Sequence, residues 1–220
     1  MKRILLALAL TVACGSVAAQ ENISRLNGAI TAEAGKHYGK LDTVNGGIRI
    51  RAGAVVRSAE TVNGGITVDD EAQAGALETV NGGIRLGERV QVAGNVATVN
   101  GGVRIDRNSR VDGEVRTVNG RIEMEATEVG GGLETVNGDV TVGTGSTVRG
   151  GLTVRKPSGS GFRWNLFGGQ SRDPRIVIGP GASVLGELVF EREVELFVHE
   201  TAKIGNVSGA SPRRFSGDMP

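Results

Sequence analysis

The chain has 220 residues, 36 of them Gly, with aromatics at only 3%. So much Gly and so few rings exclude a broad globular core and leave a narrow interior of Val, Ile, Leu and Ala. Basic and acidic residues nearly balance at 25 and 24, which excludes a field strong enough to draw the chain to nucleic acid or to an acidic membrane surface.

Residues 1–19 carry Lys2 and Arg3, an apolar run from Ile4 to Ala13, and the small residues Val17-Ala18-Ala19. That order reads as a secretory signal peptide. Cleavage after Ala19 leaves a chain that starts at Gln20 and contains no cysteine. A second reading stands beside it: Thr11-Val12-Ala13-Cys14-Gly15 serves as a lipobox, Cys14 is lipidated, and membrane attachment is through that anchor alone. The run is shorter than the ~20 apolar residues a transmembrane helix needs. Both readings export the chain to the periplasm, the outer-membrane surface or the extracellular space. Without disulfides, stability there comes from packing and backbone pairing.

From residue 20 to 155 the sequence repeats. TVNGGI begins at Thr43, Thr61 and Thr79, returns as TVNGGV at Thr98, TVNGRI at Thr117 and TVNGDV at Thr135, and has a degenerate copy, RLNGAI, at Arg25. From Arg25 onward the copies start at steps of 18, 18, 18, 19, 19 and 18. Counting from the motif valine, offsets 0, +6 and +12 are apolar, as in Val44, Ile50 and Val56, which predicts three short sides per coil. The pair at +4 and +6 gives the I-x-I alternation of a strand with one face buried. Asn-Gly corners, where positive φ costs least, separate the sides. The expected fold is an all-β, single-stranded triangular β-helix of about nine coils, each advancing ~4.8 Å.

Stacking sets like on like. Asn27, Asn45, Asn63, Asn81, Asn100, Asn119 and Asn137 are expected to form a ladder of side-chain amides at one buried corner. Val44, Val62, Val80, Val99, Val118 and Val136 are expected to fill the axis, so that Val80→Asp buries an unpaired charge.

Residues 156–174, KPSGSGFRWNLFGGQSRDP, hold Phe162, Trp164 and Phe167 and read as a loop thrown out of the stack, with these rings as a contact surface or a cap. Residues 175–210 resume the coils. Ile176-Val177-Ile178 is matched by Val194-Glu195-Leu196 at a step of 18, and Leu185-Gly186-Glu187-Leu188 by Ile204-Gly205-Asn206-Val207 at a step of 19. Residues 211–220 read as a disordered tail.

Two family resemblances rest on these residues. The Val-Asn-Gly-x-Ile array, roughly residues 25–155, resembles the bacterial putative-adhesin domain family of envelope proteins. The stretch from Ile176 to Ala210, IVIGPGASVLGELVFEREVELFVHETAKIGNVSGA, looks like bactofilins, the polymer-forming cytoskeletal proteins. That second resemblance implies a right-handed triangular β-helix that polymerises end to end without nucleotide.

No constellation of catalytic residues emerges, and no cofactor or metal is expected. A hexapeptide-repeat acyltransferase needs a catalytic His at a subunit interface, but His37 and His199 lie about seven coils, ~35 Å, apart, and His37 beside Tyr38 reads as a cap. A zinc site on this architecture needs three His ligands, and the chain has two. The calcium-binding G-G-x-G-x-D nonapeptide is absent. Acidic residues recur at Asp42, Glu60, Glu78 and Glu134 and basic ones at Arg49, Arg85 and Arg104, columns a polysaccharide-processing site could use and a solvated face also needs. A Thr column at Thr43, Thr61, Thr79, Thr98, Thr117 and Thr135 reflects β propensity, with ice binding as its functional alternative. The expected function is a non-catalytic envelope scaffold or adhesin that self-associates or binds envelope components; the alternative is a polysaccharide-binding or polysaccharide-processing protein.

Overall fold

The computed structural model describes residues 20–157, 172–217 and 219–220; residues 1–19 with Cys14, and Phe162, Trp164 and Phe167, lie outside them. The described residues form 26 strands and no helix. Every strand pair is parallel and joins one coil to the next, as in Ile48–Ile50 with Ile66–Val68 and Leu133–Thr135 with Leu152–Val154. The chain is a β-solenoid of about 10 turns.

Three ladders run along it. One holds ten strands, from Ile30–Ala32 to Arg213–Phe215, and forms the first face. The second and third faces begin fused, because His37–Asn45, Val55–Asn63 and Gln73–Asn81 each run unbroken through the corner between them. After that corner the ladders fork, with Gln91–Val92 on the second face and Val96–Asn100 on the third. The fork coincides with one inserted residue. Ala74 and Leu77 are three apart, whereas their partners Val92 and Val96 are four apart, which admits Gly94 at the corner. The first step of 19, from Thr79 to Thr98, therefore marks where the strand first breaks at this corner.

Six buried columns fill the interior. In one coil they are Ile66, Val68, Ala72, Ala74, Leu77 and Thr79. The expected +4, +6 and +12 positions are among them, but the motif valine is not. Val44, Val62, Val80 and Val99 are 36–40% exposed, while the preceding threonines are at most 4% exposed. Val118 and Val136 are half-buried on the same outer column. The third side is thus shifted by one residue, and a one-residue shift turns every side chain to the opposite face.

A buried acceptor explains the choice. From Gly28 to Gly101 the corners turn a glycine carbonyl inward and the next coil's threonine hydroxyl donates to it, as from Thr61 to Gly46, Thr79 to Gly64 and Thr98 to Gly82, each at 2.8 Å, whereas Thr135 accepts from the Gly138 N–H. Valine there leaves that carbonyl unpaired, and an unpaired buried acceptor costs about 1–3 kcal/mol.

The corner glycines also have a reason other than the expected one. Gly46, Gly64, Gly82, Gly101, Gly120 and Gly138 do not have positive φ, but a Cβ on any of them would overlap the carbonyl of the glycine one coil earlier. Positive φ at an Asn-Gly corner is found at Gly28 of the first copy, whereas in later coils left-handed backbone occupies a different corner, between the first and second faces, at Gly35, Gly53, Glu71, Arg89, Asn108, Ala126, Gly145 and Gly181.

The C-terminal coils differ from expectation in two places. Ile176 and Ile178 pair with Leu196 and Val198, not with Val194 and Leu196, because the turn before Leu196 is longer than the repeat allows. The last ten residues are not all irregular: Arg213–Phe215 is a strand on the first face, Phe215 packs edge-on against His199 with ring centroids 5.1 Å apart, and Arg175 donates to the Pro220 carbonyl at 2.7 Å.

Two substitutions separate these causes. Gly64→Ala is expected to lower stability by about 1–3 kcal/mol through overlap with the neighbouring coil. Ala126→Gly is expected to raise it by about 1 kcal/mol, because it relieves a left-handed residue at φ 46°. Urea unfolding followed by circular dichroism measures both.

Candidate interaction surface

The third face is built from the strands that precede each Asn-Gly corner. Along them Leu77 and Thr79 point in, and Glu78, Val80 and Asn81 point out. Repetition turns this alternation into three parallel outer columns. The first reads Asp42, Glu60, Glu78, Ala97, Arg116 and Glu134, the second is the valine column, and the third is the asparagine column.

The asparagine ladder forms through all seven residues. Each Nδ2 donates to the Oδ1 of the asparagine one coil earlier at 2.9 Å, from Asn45 to Asn27 through to Asn137 to Asn119. It runs along an exposed corner rather than a buried one, so each link contributes near the lower end of about 0.5–1.5 kcal/mol. The amides share one direction, which leaves the Asn137 oxygen without a donating asparagine. Arg192 fills that role at 2.8 Å. It stands two residues past Phe190, as Asn137 stands two past Thr135, and reaches back over the coil that carries Val154. No sequence signal marks this terminating cation, because the break in the repeat at residues 156–174 hides its register with the Asn column.

The charged columns largely neutralise one another across coils. Arg49 pairs with Asp69 at 2.9 Å, Arg104 with Glu123 at 3.4 Å, Lys40 with Glu60 at 2.7 Å and Arg155 with Glu134 at 2.9 Å. These pairs are solvent-exposed, so each is screened and individually weak. Hydrogen bonding from Arg149, and then attraction to Arg110, holds the Glu128 carboxyl below its ordinary range. That pairing is present at neutral pH and fades as pH falls through the lowered value. Among the described residues, Arg85 and Glu78 make no ion pair.

The remaining candidates are dispersed. His37 is exposed at the start of its strand and is not a cap, whereas His199 is buried with its Nδ1 2.8 Å from the Thr201 hydroxyl. The threonine column is buried, with Thr43 to Thr117 bonded to glycine carbonyls and Thr135 to the Gly138 N–H, so it presents no face to ice. A shallow groove of about 390 Å³ runs along the third face between the acidic and valine columns, from Asp42 past Glu60 and Glu78 to Arg116 and Val118. Val80→Asp therefore introduces an exposed charge, not a buried one.

Neither protein-family models nor curated proteins nor solved structures gave a match to this chain.

The inward threonine and outward valine give opposite mutational outcomes. Thr79→Val is expected to cost about 1–3 kcal/mol by orphaning the Gly64 carbonyl, whereas Val80→Thr is expected to change stability by less than about 0.5 kcal/mol. Thermal denaturation of the two variants measures the difference.

Proposed function

We propose that this chain is a non-catalytic, exported cell-envelope β-solenoid that serves as a structural scaffold or adhesin and engages its target through the third face. The observation that carries this reading is the unbroken outer rail of valine and asparagine, repeated coil after coil on a rigid stack. Outward valines at six successive positions add nothing to the core, and a contiguous apolar stripe with polar rims is the pattern of an interaction surface. Support comes also from the basic, apolar and small-residue order of residues 1–19 and from the resemblances to envelope adhesins and bactofilins.

The ends of the stack carry less of the proposal than its side. Glu21 and Arg25 pair in register with the buried Tyr38 and Thr43, and Arg214 pairs with the buried Val198. Charges at core positions oppose continuation of the apolar axis into another molecule, as inward-pointing charges do at sheet edges. End-to-end growth is therefore the weaker mode of assembly.

A second reading, binding or processing of a polysaccharide, draws on the groove with its carboxylates and Arg116. Expression of the whole chain in a bacterial host tests both. The scaffold reading expects the protein in the periplasmic, outer-membrane or extracellular fraction, retained by envelope preparations and releasing no sugar from them; palmitate labelling shows whether Cys14 tethers it. A chain that stays cytosolic or that cleaves glycan contradicts the reading.

A further inference from the structure

We infer that the third face is a self-association surface, on which a second copy of this chain docks antiparallel about a two-fold axis that runs along the strands at Val99. The inference shares its surface with the scaffold reading but does not depend on the chain's location.

The outer columns support a two-fold axis at that coil. Val62, Val80, Val99, Val118 and Val136 follow one another at steps of 18, 19, 19 and 18, a series that reads the same in both directions from Val99. Reversal about Val99 sets Val80 on the partner's Val118 and Val62 on the partner's Val136, so apolar meets apolar over five coils. Because the axis follows the strands, each column faces its own copy. The charged column then sets Glu78 on the partner's Arg116.

Glu78 is exposed and unpaired among the described residues. Arg116 lies beside Glu114 at 2.6 Å and Glu134 at 3.7 Å, with its side chain half exposed. Glu60 faces the partner's Glu134, but each brings its own cation, Lys40 and Arg155, respectively. Ala97 occupies the axis in the charged column, so the position of that column that meets its own copy carries neither charge nor bulk. A parallel pairing about the valine column would instead reverse the column order, turn the charged column toward the partner's asparagine side and leave Glu78 without the partner's Arg116.

The area is small. The five facing coils at ~4.8 Å by five strand residues at ~3.3 Å offer ~400 Å² per copy, ~800 Å² in all. That lies below the range of stable complexes, and a weak, reversible dimer is expected.

Sedimentation velocity of the chain across the micromolar range, with light scattering as a check, tests the inference. The expected result is a reversible monomer–dimer equilibrium. Val99→Arg should abolish the dimer while leaving the unfolding midpoint unchanged, since the side chain points outward. Glu78→Arg and Arg116→Glu should each weaken it about tenfold or more, and the double variant E78R/R116E should restore it. A strict monomer, a dimer indifferent to V99R, or a charge swap that fails to restore association overturns the inference. A monomer that still adheres to envelope preparations defeats it and leaves the scaffold reading standing, whereas a dimer found only in the cytosol does the reverse.

Discussion

The structure depends on one constraint: each coil lies directly over the last, so that every repeated residue meets its own copy. A single coil cannot bury six inward side chains or satisfy its backbone, because its partners for both belong to its neighbours. Once the strands stack in parallel, the ladders Ile30–Ile48–Ile66–Ile84 and Leu41–Ala59–Leu77–Val96 follow. What the repeat must then solve is the corner, where strand pairing lapses and polar backbone turns inward. Threonine and glycine solve it together. The hydroxyl satisfies the carbonyl, and the missing Cβ lets that carbonyl approach the next coil.

This also explains why the motif is so uniform at some positions and so loose at others. Thr, Asn and the first Gly each touch the neighbouring coil's corner, so a change in one coil is felt by two neighbours. The opposite corner is held mainly by backbone geometry. It therefore tolerates Gly53, Glu71, Arg89, Asn108 and Ala126 in one left-handed position, at a cost of about 1 kcal/mol for the residues that are not glycine.

Much of the fold was legible in the sequence. The period, the I-x-I strand and the asparagine column follow from spacing alone, and residues such as Ile48, Ile50 and Asn45 lie where the periodicity puts them. The phase of the third side did not follow. Thr and Val are both β-branched and nearly the same size, so hydropathy assigns valine to the interior and threonine to the surface. Only the inward carbonyl at each Asn-Gly corner, a feature of the assembled coil, reverses that assignment. The same limit hid the role of Arg192, whose partner Asn137 is 55 residues away, and the final strand Arg213–Phe215, whose pairing depends on where the stack ends.

The reversal changes what the surface is. With threonine inside, the valines become an external stripe beside an amide ladder, and the molecule gains a straight, repetitive and partly apolar side. On the proposed reading, function belongs to that face. The most direct test of stacked columns is a pulsed electron-resonance distance between nitroxides on cysteines placed at 44 and 136 in a Cys14-free chain diluted with unlabelled protein. Five coils of in-register stacking predict a narrow distribution near ~24 Å. A broad distribution, or one centred far from that value, would contradict the account.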